Sequence, residues 1–297
     1  MNATDPPVEL TAPDIEPYRH GNAGAAFAHT YESGRPGPHV LINALMHGNE
    51  LAGAIALDAL HRRIRPRRGR LTLVFANVAA YACFDPHRPG ASRYIDEDMN
   101  RVWDDAVLDG PRRSVELDRA RELRPLYAQA DLLLDLHSMQ LPGPPLLLCG
   151  RAGRARRLAR DLAWPDWVVA DAGHAAGPRL IDHAAFTAPG SPGTTVLLEC
   201  GQHWARDTAR VALEGSLRFL LLHGLVDPAE AGIDPGPEPG PRRLVEITHA
   251  VTAETDAFVW VREYGALERI AAPGTLLGRD GGKPLTPPYA DCVLVMP

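Results

Sequence analysis

Lysine is almost missing from this 297-residue chain: Lys283 is the only one, and arginine supplies the rest of the 31 basic residues. We read that skew as base-composition bias, not as function. A basic surplus is missing too. The formal net charge is −6, which leaves no electrostatic footprint for a nucleic-acid partner. No apolar run approaches the roughly 20 residues that span a bilayer. Residues 1–18 carry acids and prolines where a secretory signal needs an apolar stretch. Cysteine is sparse. Cys83, Cys149, Cys200 and Cys292 are scattered with no CxxC spacing, which excludes a thiolate metal site. Each lies in or beside an apolar run, where a free thiol behaves as a small buried hydrophobe. A reduced, cytoplasmic chain is expected, with neither membrane nor nucleic acid as a partner.

What is present is an ordinary balance, 45% hydrophobic and 23% charged, which places the chain among globular proteins. Its length suits one substantial domain with a small one appended. After an irregular lead-in over 1–24, residues 25–31 and 39–46 read as short strands. Leu51, Ala54, Ile55, Leu57 and Leu60 recur at helical spacing across 51–63. Residues 71–78, 132–136, 146–149 and 194–200 are continuous apolar runs of the kind that form buried parallel strands. Helical patterns return over 115–130, where Pro125 predicts a kink or break, and over 208–223. The alternation predicts an α/β domain, 1–226, with a mostly parallel, mixed sheet and helices on both faces. Five prolines and three glycines in 227–241 read as a linker that holds no regular element. Short alternating strands over 243–248, 258–262 and 292–296 predict a small β-rich domain, 242–297.

The chemistry starts at His47-Gly48-Asn49-Glu50, directly after the strand at 39–46. Open α/β sheets place ligands outside the carboxyl ends of their strands, and Gly48 and Asn49 tolerate the unusual backbone angles such a turn can demand. Three-residue spacing lets His47 and Glu50 converge if a helix begins there. The plainer alternative is a helix N-terminus with an acidic first-turn residue and an incidental histidine. His137 ends the run 132–136 and completes a two-histidine, one-carboxylate set, which is the ligand set of a catalytic zinc with an open fourth position. Asp135, two residues earlier, shares its strand face and is placed to hold the His137 ring; it also reads simply as an acid near a strand end. Glu199 closes another buried strand, where a carboxylate is costly unless paired or functional. It suits the base that a metal-dependent hydrolase requires, or a salt-bridged glutamate before Gly201. The stretch Arg93 to Arg101 lies in a long loop, and such loops tend to be functional. Its arginines offer a planar fork for carboxylates, Asn100 an amide donor, and Arg93 a group able to polarise a carbonyl. It also reads as a solvated charged loop.

The order HGNE, RYIDEDMNR, DLHS and LLECG resembles the succinylglutamate desuccinylase/aspartoacylase family, zinc amidohydrolases related to zinc carboxypeptidases. The resemblance spans roughly 38–226 and extends to an appended β domain. It implies zinc, one per chain, on His47, Glu50 and His137. It implies Glu199 as the catalytic glutamate, Arg93 as the carbonyl-polarising arginine, and Asn100 with Arg101 as the pair that binds a substrate carboxylate. Two departures stand out. The aspartoacylase branch has a further substrate arginine shortly before the catalytic glutamate, and 184–198 contains none; Arg179 is the nearest, at a different spacing. The branch also uses a tyrosine of the C-terminal domain, for which Tyr264 and Tyr289 are the candidates. His203, four residues past Glu199, is placed to line the pocket.

The expected function is therefore a zinc-dependent deacylase that hydrolyses the amide of a small N-acyl amino acid. The alternative is a zinc carboxypeptidase acting on peptide C-termini, and a third is a non-enzymatic module that kept the fold. A monomer and a homo-oligomer are both compatible with these readings.

Overall fold

The computed structural model describes residues 6–150, 152–233 and 243–297. Eight strands form one sheet: β1 (Ala28–Glu32), β2 (His39–Ala44), β3 (Arg70–Phe75), β4 (Leu132–Met139), β5 (Leu146–Cys149), β6 (Trp167–Ala170), β7 (Thr194–Gln202) and β8 (Arg243–Glu246). Their spatial order is β1-β3-β2-β4-β7-β5-β6-β8. β1 pairs antiparallel with β3, and β5 antiparallel with β7, while the other neighbours are parallel. The expected mixed, mostly parallel α/β sheet is what the chain forms.

The central strands are apolar on both sides because both sides are covered. On β4, Leu134 and Leu136 enter one core cluster while Leu133 enters another. On β7, Val196 and Leu198 face the first cluster and Leu197 a third. The Leu51–Arg63, Gly153–Leu162 and Arg206–Leu222 helices pack on the first side, with Leu57, Leu158 and Phe219 among their buried residues. The Val115–Tyr127 helix covers the other through Leu117, Leu123 and Tyr127. Each leucine taken fully out of water in these layers contributes roughly 1.5–3 kcal/mol.

Some boundaries differ from the sequence reading. Pro125 does not break its helix: it sits in the last turn, and the helix ends two residues later. The run 71–78 divides into β3 and a separate helical turn, Val78–Tyr81, capped by Asn77. The Gly153–Leu162 helix and β6 were not anticipated, because both are short and the helix is rich in arginine.

Beyond 226, Pro228–Ala231 forms a helical turn capped by Asp227, so that end of the 227–241 stretch is regular after all. The rest of it, from 234, lies outside the described residues. β8 joins the large sheet beside β6. The remaining strands make two small antiparallel sheets. One holds β9 (Val259–Trp260), β11 (Gly278–Asp280) and β12 (Lys283–Leu285); the other holds β10 (Glu268–Ile270) and β13 (Cys292–Leu294).

Candidate metal centre

Three adjacent central strands, β2, β4 and β7, deliver the site. After β2 the chain turns through Leu45, a left-handed residue at φ 60°, and presents His47. Gly48 is required for space, not for backbone angle: a Cβ there would lie 2.4 Å from Ala80 C and Tyr81 N and 2.6 Å from Ser92 O. Glu50 is the N-cap of the Leu51–Arg63 helix but makes no side-chain cap. Its carboxylate turns instead to the site, with Oε1 2.7 Å from His47 Nδ1 and Oε2 3.2 Å from His137 Nδ1. Oε2 also accepts the Ser138 backbone N–H at 3.0 Å. β4 continues two residues past His137, contrary to a strand ending there, with a register shift between His137 and Met139. Such irregularities re-aim side chains beside functional sites.

Each imidazole has its second nitrogen on another carboxylate. His47 Nε2 lies 2.9 Å from Asp98 Oδ1, and His137 Nε2 lies 3.0 Å from Asp135 Oδ2. The Asp135 contact is the one expected from strand periodicity. Asp98 was passed over, since one acid in Asp96-Glu97-Asp98 carries no distinguishing sequence signal. The ligand atoms of His47, Glu50 and His137 all lie within 4.8 Å of one another, and all three residues are buried. Two imidazoles and a carboxylate with a fourth position open are donors that catalytic zinc takes, so the set fits that ion in its chemistry.

Burial opposes charge at Glu50, but the His47 and His137 rings outweigh it and hold its carboxyl well below the usual range. Burial likewise opposes a charged His137, and Asp135 and Glu50 outweigh it, raising the imidazole well above its ordinary value. Glu199 is different. Burial pushes its carboxyl up to about 8, against the pull of His137, and its buried Oε2 has no hydrogen-bond partner among the described residues. Glu199 pairs across the sheet with His137, so this unpartnered carboxyl stands beside the three candidate ligands.

All seven residues singled out for function (His47, Glu50, His137, Glu199, Arg93, Asn100 and Arg101) line one cavity of about 450 Å³. Arg93 Nη2 donates to Asp98 Oδ2 at 3.1 Å, and Nη1 lies 3.8 Å from Glu50 Oε1. Asn100 is buried, and its Oδ1 accepts the Leu180 N–H at 2.9 Å, which leaves the NH₂ as the end available to a ligand. Arg101 donates to the Asn100 carbonyl at 2.7 Å. Of the two tyrosine candidates, Tyr264 lines the cavity, while Tyr289 is exposed and bonds Thr248. His203 also lines it; its Nδ1 lies 2.7 Å from Ser138 Oγ, and burial lowers its pKa to about 4.

Arg179 reaches the cavity wall but is not free. Asp171 takes both its Nη atoms, at 2.8 and 2.5 Å, and Asp182 takes Nε at 2.7 Å and Nη2 at 3.1 Å. No sequence spacing announced this clamp, because the acids lie eight residues before and three after the arginine across an irregular loop.

Among the described residues, no helix is long and apolar enough to cross a membrane. No curated protein matches the chain. Solved structures share its fold. A succinylglutamate desuccinylase/aspartoacylase from Rhodobacter sphaeroides superposes with a TM-score of 0.63 at 18% identity, covering 90% of this chain and 87% of that one. A succinylglutamate desuccinylase from Vibrio cholerae gives 0.62 at 21%, covering 88% and 77%. The product-bound ectoine utilization protein EutE (DoeB) from Ruegeria pomeroyi gives 0.59 at 19%, covering 89% and 80%. Residues 36–220 match the family model described as the succinylglutamate desuccinylase/aspartoacylase catalytic domain, and so the chain belongs to that family.

Proposed function

We propose that the protein is a zinc-dependent deacylase that hydrolyses the amide of a small N-acyl amino acid. The observation that carries this reading is the buried convergence of His47, Glu50 and His137 beside the unpartnered Glu199 carboxyl, within one cavity. His47, Glu50 and His137 hold the metal, with Asp98 and Asp135 orienting the two rings. Bound there, zinc lowers the pKa of water, polarises a carbonyl and by its charge favours the ionised form of Glu199. Glu199 takes a proton from the water whose oxygen attacks the amide carbon. Arg93 donates to the carbonyl oxygen as negative charge collects on it. When the carbon–nitrogen bond breaks, Glu199 returns the proton to the leaving nitrogen, giving a carboxylic acid and an amine. Asn100 and Arg101 hold the substrate by its carboxylate.

The main rival is a zinc carboxypeptidase, which would use the same groups. The lining supports the small substrate: residues from beyond β8, among them Tyr264, Ala266 and Val295, contribute to the cavity wall. The test is hydrolysis by the zinc-supplied protein of N-acyl amino acids set against tetrapeptides and longer peptides. Turnover of the former alone supports a deacylase. Efficient release of C-terminal residues from the peptides would establish the rival.

A further inference from the structure

The floor of the cavity is an apolar row of the third core cluster, nearly closed to solvent, that the site chemistry leaves unused. Leu197 on β7 pairs across the sheet with Leu148 on β5, and Leu148 pairs with Val169 on β6. Side chains directly opposite on neighbouring strands share a face. The row therefore crosses three strands on one side of the sheet, and all three residues line the cavity. It begins two positions from Glu199, on the same face by strand alternation. Ile247, just past β8, extends the apolar lining.

Beside that floor stands Arg179, a cation that an anionic acyl group would seek, and it is already paired. Arg179 is 6% exposed and held by four contacts to Asp171 and Asp182. One arginine with two carboxylates leaves that clamp itself with a charge of −1. A buried guanidinium so satisfied has little to offer a further carboxylate, and breaking its pairs to accept one is costly.

We propose that the acyl half of the substrate is uncharged and aliphatic, lying over Leu197, Leu148 and Val169. This rests on the deacylase reading, in which Asn100 and Arg101 take the carboxylate of the amino-acid half and leave the floor to the acyl chain. Burying added methylenes on this floor raises kcat/KM with chain length. A terminal carboxylate in the same place meets apolar surface and a guanidinium already held by two carboxylates, and loses rate.

The experiment compares kcat/KM of the zinc-supplied protein on the N-acetyl, N-butanoyl, N-hexanoyl and N-succinyl derivatives of one amino acid. Butanoyl and succinyl share four carbons and differ in the terminal carboxylate. We expect hexanoyl to exceed acetyl by roughly tenfold or more, and butanoyl to exceed succinyl by at least about tenfold. The variant Asp171→Asn, which removes one of the two charges neutralising Arg179, is expected to raise the succinyl-to-butanoyl ratio by threefold or more (about half a decade on the scale of a single charge pair). Succinyl hydrolysed as fast as butanoyl by the unaltered protein would overturn the aliphatic pocket and leave the deacylase reading standing. Absence of hydrolysis across the whole series would overturn both.

Discussion

Asp135 ties the candidate metal centre to the core: its Oδ2 lies 3.0 Å from His137 Nε2 while its Oδ1 accepts the Asn43 amide at 2.7 Å. Asn43 Oδ1 in turn accepts the Tyr127 hydroxyl at 2.7 Å. The chain of bonds runs from the end of the Val115–Tyr127 helix through β2 and β4 to the ring of His137, a candidate ligand, and every member is buried. It fixes the ring with Nδ1 toward Glu50. Asp135→Asn is expected to weaken zinc binding by about 10–100-fold, and Tyr127→Phe by less, since it removes only the outermost bond. Competition against a chromophoric chelator reads both. Wild-type affinity in Asp135→Asn would remove Asp135 from this role.

At Gly48 the turn of the candidate metal centre passes close to other backbone. The nearest atoms to an added Cβ are main-chain atoms at 2.4 Å, which cannot swing aside as a flexible side chain would. Gly48→Ala is therefore expected to destabilise the fold by about 2 kcal/mol or more and to reduce zinc content. Thermal unfolding and metal analysis check it; an unchanged midpoint with full zinc would show that the turn relaxes freely.

Much of this was legible in the sequence. The buried strands and the long Leu51–Arg63 helix stood out through unbroken apolar runs and helical spacing, which are properties of contiguous residues. His47, Glu50, His137 and Glu199, which the structure brings together, were singled out because each follows or closes such a run. Asn43, Tyr127 and Asp98 were not, since their part depends on which strands become neighbours. β2 and β4 are 92 positions apart between Asn43 and Asp135, and local pattern carries no trace of that pairing. The Asp171–Arg179–Asp182 clamp and the choice of Tyr264 over Tyr289 escaped for the same reason. The tolerance of unusual angles read into Gly48 and Asn49 is not what the turn uses: its left-handed residue is Leu45, and what singles out Gly48 is the close approach of other backbone.

Stability should depend on acidity through His61. Its ring stacks on Tyr18 at 4.1 Å between centroids, its Nδ1 lies 2.8 Å from the Tyr31 hydroxyl, and its buried Nε2 has no partner among the described residues. Burial, aided by the charges of His29 and Arg65, lowers its pKa from 6.5 to about 3. Between those values the unfolded chain binds a proton at this position that the folded chain does not. The contribution is thus fully present above pH 6.5 and falls as pH drops toward 3, by up to about 1.4 kcal/mol per pH unit. His61→Phe, which cannot be protonated, is expected to flatten the pH dependence of unfolding free energy by about one proton in that window. Parallel curves for the two proteins would contradict this.

Glu199 is expected to be needed for turnover and not for metal binding. Glu199→Gln should keep one zinc per chain and lose about 10³-fold or more in kcat, toward the upper part of what general acid–base catalysis contributes, because the same group serves both proton transfers. Normal kcat in that variant would remove Glu199 from its assigned place.

The most direct test of the whole account is a zinc titration of the chelator-stripped protein, read by hydrolysis of an N-acyl amino acid. Activity should be absent without metal, rise with added zinc and level off at one equivalent per chain. Hydrolysis that persists undiminished in the stripped protein, or a zinc-saturated protein that hydrolyses no amide, would contradict it.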